Sequence, residues 1–246
     1  MALLHFLGKN SDKTPPNDTV IQLGGQDIIV EIRRNSRAKR LSLKLDGKTG
    51  KVVMVLPPRV PQREGMAFLA RQEDWVLRQL EGLPQAVPFE PGHIIPYRGR
   101  DVLICHDTAR RYGVEIRNER EIWVAGPQEH LERRLRDHCK KLAREEVLAR
   151  APDMAAGIGC KAGRITIRDQ KTRWGSCSAN GDMSFNWRLI LAPEAVLHYV
   201  VAHEVAHLIE RNHSPRFWKL VGEIDPQMKK SREWLRSHGM RLQRIG

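Results

Sequence analysis

The chain has 246 residues, enough to bury a sizeable core in one large or two modest domains. Lys and Arg outnumber Asp and Glu by 42 to 29, and the formal net charge of +13 suits nucleic acid, an anionic surface or acidic protein partners without naming one. No apolar stretch approaches membrane-spanning length, the opening MALLHFLGKNSDK lacks the basic start and cleavage site of a signal peptide, and Cys105, Cys139, Cys160 and Cys177 form no C-x-x-C pair. A cytoplasmic protein with no membrane partner, no zinc ribbon and no dense disulfide framework is expected.

The stretch GKNSDKTPPNDT is polar and proline-containing, which predicts that residues 1–18 form a loose arm without chemistry. From Val20, VIQLGGQDIIVEIRR and RLSLKLDGKTGKVVMVLP predict two strand pairs turning at Gly24-Gly25 and Asp46-Gly47, with Leu41, Leu43 and Leu45 on one face. The spacing of Met66, Leu69, Val76 and Leu80 then predicts one helix stopping at Gly82 to Pro84. Short strands follow in HIIPYRGRDVLICHD and YGVEIRNEREIWVAG, and a long basic helix starts near Pro127. GRITIRDQKTRWGSCS, a turn at ANGD and MSFNWRLILAP predict a strand pair. Pro193 opens a helix expected to run to about Asn212, and Ser214 and Pro215 read as the N-cap and first position of the next one.

On the helix after Pro193, apolar residues occupy the whole circumference, so it is expected to be buried on most sides. His203, Glu204 and His207 interrupt it, and ionisable groups there are costly unless paired or bound to a metal. His203 and His207 lie four apart, so both imidazoles project from one face and can close on one ion. Glu204 lies about 100° around the helix, near enough to touch a water held by that ion, where a general base belongs.

A catalytic zinc wants three protein ligands and an open position, so a third donor is required downstream. His213 falls six residues after His207, the spacing of the long H-E-x-x-H-x-x-G-x-x-H pattern, with Glu210 where that pattern has glycine. Asn212 tolerates left-handed geometry and is expected to end the helix there instead. Glu223, on the following helix, is the rival ligand. His198 is off the ligand face, and Cys177 reads as an inert thiol more readily than as a nucleophile.

The run ITIRDQKTRWGSCSANGDMSFNWRLILAPEAVLHYVVAHEVAHLIERNHSPRFWKLV, Ile165 to Val221, resembles the YgjP-like metallopeptidases, relatives of the SprT-like and other small gluzincin-type zinc proteases. Weaker echoes occur in RAKRLSLKL, VVMVLPPRV, PYRGRDV and WLRSHG. The resemblance implies a zinc-dependent peptide hydrolase with one zinc per chain, His203, His207 and His213 as ligands and Glu204 as acid and base. Within its TRWGSC and NWRL segments, Trp174 and Trp187 read as core anchors, while Arg173, Ser176 and Asn186 are second-tier candidates for satisfying backbone or meeting a developing oxyanion.

The expected architecture is α+β: an arm over 1–18, a strand-rich region over 19–126 and a zincin-like catalytic domain over 127–246. A polypeptide substrate is expected to lie extended beside MSFNWRLIL. The basic segments RRNSRAKR and ERRLRDHCKKLAR lack a nucleic-acid motif, so any such binding is expected to be weak and nonspecific. The competing expectation is a nucleic-acid-associated or partner-docking protein with a structural zinc.

Overall fold

Alternating apolar residues give the chain two four-stranded sheets and one three-stranded sheet in the computed structural model, which describes residues 18–47 and 49–246. The chain divides into two compact units, Met1–Pro84 and Gln85–Gly246. The arm expected over 1–18 lies outside the described residues except for Asp18, which opens the first strand. Among the described residues no helix is long and apolar enough to cross a membrane.

In the first unit, β1 (Asp18–Leu23) and β2 (Gln26–Arg34) pair antiparallel about Gly24 and Gly25, whose φ values of 56° and 76° are those a two-residue hairpin turn requires. β3 (Ser42–Leu45) and β4 (Val52–Leu56) form the second expected pair, with Leu41, Leu43 and Leu45 against the core. β4 inserts between β2 and β3, parallel to β2, and its nearly continuous apolar run suits that central position. The single helix expected here is two, α1 (Gln62–Arg71) and α2 (Glu73–Glu81). They part at Gln72, whose N–H bonds the Leu69 carbonyl three residues back in a tightened closing turn.

The second unit opens with β5 (Ile94–Tyr97), β6 (Arg100–Asp107), β7 (Val114–Arg117) and β8 (Glu121–Ala125), in the order β5-β6-β8-β7. The boundary expected at 126/127 thus falls inside this unit, because these strands share a core with the helix that follows. That helix, α3 (Leu131–Leu148), buries Leu131, Leu135, Cys139, Ala143 and Val147, a stripe at four-residue spacing, and a short α4 (Ala151–Gly157) comes after it.

β9 (Ile165–Arg168), β10 (Gly175–Cys177) and β11 (Met183–Asn186) form the third sheet, in the order β10-β11-β9. The strand expected to continue through Leu191 stops at Asn186, whose side chain accepts from Arg188 N and starts a 3₁₀ turn over Trp187–Leu191. The strand beside which a peptide was expected to lie offers no free edge: β11 is paired on both sides, and β9 and β10 lie at the edges of the sheet, with β10 along the cleft. α5 (Glu194–Ala206), α6 (Pro215–Ile224) and α7 (Met228–Gln243) complete the chain.

Candidate metal centre

α5 is buried around its circumference by Leu197, Val200, Val201, Ala202, Val205 and Ala206, so its last turn carries His203 and Glu204 into an apolar interior. The helix ends at Ala206, with His207 as its C-cap, and not at Asn212 as expected. His207 keeps near-helical angles, φ −67° and ψ −10°, so its ring still sits 5.0 Å from that of His203. The chain then curls back, placing the Glu210 carbonyl 2.9 Å from His207 Nδ1. With Nδ1–H donating to that oxygen, Nε2 is left with a lone pair for the site.

His213 arrives on the loop before α6. The left-handed turn expected at Asn212 is absent: among the described residues, the non-glycine positions with positive φ are Arg98, Asn118 and Glu119. Asn212 instead uses its side-chain oxygen to accept from Ser214 N at 3.1 Å, a local turn that needs no strained backbone. Ser214 caps α6 by accepting from Phe217 N, with Pro215 in the first turn, as expected. The ring of His213 stacks on Trp218 at 5.6 Å and 23° and meets the edge of Phe217 at 4.8 Å. Arg232 lies 4.2 Å over Trp218, so an exposed histidine is held in place by a layered stack.

The potential ligand atoms of His203, His207 and His213 all lie within 4.8 Å of one another, and among the described residues these three form the only such cluster. His203 Nε2 is 3.1 Å from His213 Nε2. Burial, with the nearby His207 and His213, pushes His203 down to about 3, and burial lowers His207 against the pull of its bond to Glu210. Neutral imidazoles are the form that ligates a metal. Buried His203 Nδ1 has no hydrogen-bond partner. Converging neutral nitrogens fit a divalent cation better than they fit one another.

Glu204 is 5% exposed, and burial pushes its carboxyl up to about 8 against the opposing pull of Arg173. It abuts Gly175 on β10: a Cβ there would meet Glu204 Oε1, and would lie 2.6 Å from Cγ and 2.8 Å from Cδ. Gly175→Ala is therefore expected to displace the carboxylate and lower activity about 10²-fold, the cost of an ångström-scale misplacement, while the fold persists. Circular dichroism beside a peptidase assay checks this, and unchanged turnover would show that Glu204 does not need that space.

The other sequence candidates separate. Ser176 and Cys177 line the cleft of about 370 Å³ in front of the histidines, with Gly175 and Arg211. The Ser176 hydroxyl is 2.8 Å from that of Ser184, which also accepts from Gln170. Asn186 is fully buried, donating to Gln170 O and accepting from Arg188 N, so its amide serves the backbone. Burial first, then Glu204, raises the Cys177 thiol above its ordinary range, which disfavours a nucleophilic thiolate. Glu223 is 59% exposed and paired with Lys219, outside the histidine cluster, and His198 lines a different cleft beside Asp225. Trp187 is a core residue, packed on Phe89 and under Arg188. Sequence reasoning missed Gly175, Trp218 and Arg211. The first two stood in TRWGSC and in RFW beside the ligand pattern, whereas Arg211 carried no signal.

Three converging imidazoles, a buried carboxylate and an edge strand line one cleft, a set of groups of the kind that metal-dependent hydrolases use. Residues 39–238 match the family described as YgjP-like, metallopeptidase domain, and the chain belongs to that family. Searches of curated proteins and of solved structures find no match.

Proposed function

We propose that this metallopeptidase-family chain is a zinc-dependent, zincin-like peptidase in which His203, His207 and His213 hold one ion and Glu204 moves the proton. The observation that carries the reading is the convergence of the potential ligand nitrogens of three histidines within 4.8 Å, beside the Glu204 carboxylate on the helix that carries His203. Three nitrogen donors with an open side toward the cleft suit zinc. When bound, the ion supplies a water acidic near neutral pH and polarises the carbonyl to be cleaved.

The chain's own residues do the rest. Glu204, held high by burial, takes the proton of the attacking water and returns it to the leaving amine. His207 is oriented by the Glu210 carbonyl, and His213 by Trp218. Of the second-tier residues, exposed Arg173 remains as a donor toward developing negative charge, because Asn186 and Ser176 are bonded elsewhere.

The substrate is an extended polypeptide on the free edge of β10. Asn186 N bonds Trp174 O and Ser178 N bonds Asp182 O, so in this antiparallel register Ser176 also faces β11. Gly175 and Cys177 alternate with these residues and turn their N–H and C=O groups outward. The nucleic-acid reading gains nothing from α3, where Arg133 and Arg136 pair with Asp137 and Glu132 and Arg134 donates to Ala125 O.

Metal analysis is expected to find about one zinc per chain, with cleavage of unfolded polypeptide lost on chelation and restored by zinc. No bound metal after reconstitution would overturn the reading.

A further inference from the structure

Arg211 belongs to the same cleft as Glu204. It follows the curl that ends α5, lines the cleft with Cys177, His207 and His213, and is tied across to the β10–β11 turn by a 2.7 Å bond from its guanidinium to Ala179 O. That bond fixes the group while leaving its other N–H donors available. Arg211 meets no carboxylate among the described residues. Asp182, on the turn that Arg211 reaches, is already engaged by Arg164 through its backbone N–H at 2.8 Å and its guanidinium at 3.6 Å.

The carboxylate that lines the cleft, Glu204, is buried against Gly175. An exposed guanidinium tied to Ala179 O, with no carboxylate partner and lining the cleft, is placed to form an ion pair with what occupies the cleft. We propose that Arg211 selects polypeptides carrying an Asp or Glu two or three residues from the scissile bond, on the side nearer the Ser178–Asp182 turn. The position follows from the strand. Glu204 abuts Gly175, Cys177 is two residues further along, and both β10 and an extended substrate advance ~3.3 Å per residue. An acidic side chain two or three residues from the reacting carbonyl therefore comes level with Arg211. Arginine suits this task because its planar fork can donate two parallel bonds to a carboxylate.

The inference rests on the peptidase reading, and the two fail separately. The test takes one sequence cleaved by the zinc-loaded protein and places Glu, Gln or Lys two or three residues from the cut, on either side. The Glu peptide is expected to exceed its Gln counterpart about tenfold in kcat/KM, chiefly through KM, and the Lys peptide by more, on one side of the cut only. Arg211→Glu should invert that order, Arg211→Lys should keep it in part, and rising salt should shrink it. Equal cleavage of all three would overturn the proposal. So would preference for acid wherever it sits, which the net charge of +13 alone would give, or an unchanged order in Arg211→Glu. Fluorescence anisotropy with the same peptides on Glu204→Gln protein reads the preference without hydrolysis. Acid-selective, Arg211-dependent binding without cleavage by the zinc-loaded native protein would sustain the selectivity and sink the peptidase reading. Cleavage without selectivity would do the reverse.

Discussion

His213→Ala is expected to lower zinc affinity by more than about 100-fold, beyond the 10- to 100-fold that loss of an outer-shell partner costs a metal site. The structure explains why the loss should be large although His213 is the most exposed of the three. His203 and His207 share one helical stack and cannot enclose an ion by themselves, and His213 comes from a separate loop to close the third side. Its position does not depend on the metal alone: the Asn212 turn, the Ser214 cap and the Trp218 stack hold it. Little ordering cost remains to be met on binding, and removing the ring forfeits a preorganised donor. Glu223→Ala should leave affinity unchanged within about twofold, because that carboxylate points to solvent beside Lys219, outside the cluster. Competition with a chromophoric chelator measures both. Loss of zinc from Glu223→Ala with retention in His213→Ala would transfer the third ligand to Glu223.

The clustering of the histidines was legible because most of it is local. Two histidines four apart on an all-round apolar helix force their own juxtaposition, and Ser214-Pro215 announces the next helix wherever the chain goes. The end of α5 was not legible, because apolar spacing continues through Leu208 and Ile209 and no glycine interrupts it. The helix closes instead in a tightened local turn, with Leu208 N and Ile209 N bonding Val205 O and Ala206 O three residues back and the Glu210 carbonyl meeting His207 Nδ1. WRLIL misled for a related reason. Every residue of that run is buried, so neither period shows, and helical turn and strand read alike. Its arginine, fully buried, bonds Ile245 O, Gly246 O and Asp169, partners that no local window contains. The same limit hid the edge position of β10. A hairpin is written in adjacent residues, but which of its strands takes β9 as a parallel neighbour is not.

Glu204→Gln is expected to keep the fold and the metal while hydrolysis falls by a factor of about 10² to 10⁴, the usual worth of a positioned general base. Glutamine keeps the volume against Gly175 and removes the group that accepts the proton. The fold should tolerate the change, because burial already disfavours the charged form of Glu204 in the metal-free protein. A neutral amide in that place relieves a desolvation cost, so thermal stability should stay level or rise. A carboxylate that merely supported the structure would give the opposite pattern, with stability falling and activity following in proportion to the folded fraction. Metal content, melting temperature and turnover of an unfolded polypeptide pool, measured on both proteins at matched zinc loading, separate the two. Equal turnover would remove Glu204 from the proton path. Loss of zinc from the variant would instead make the carboxylate part of the metal's own ligand set.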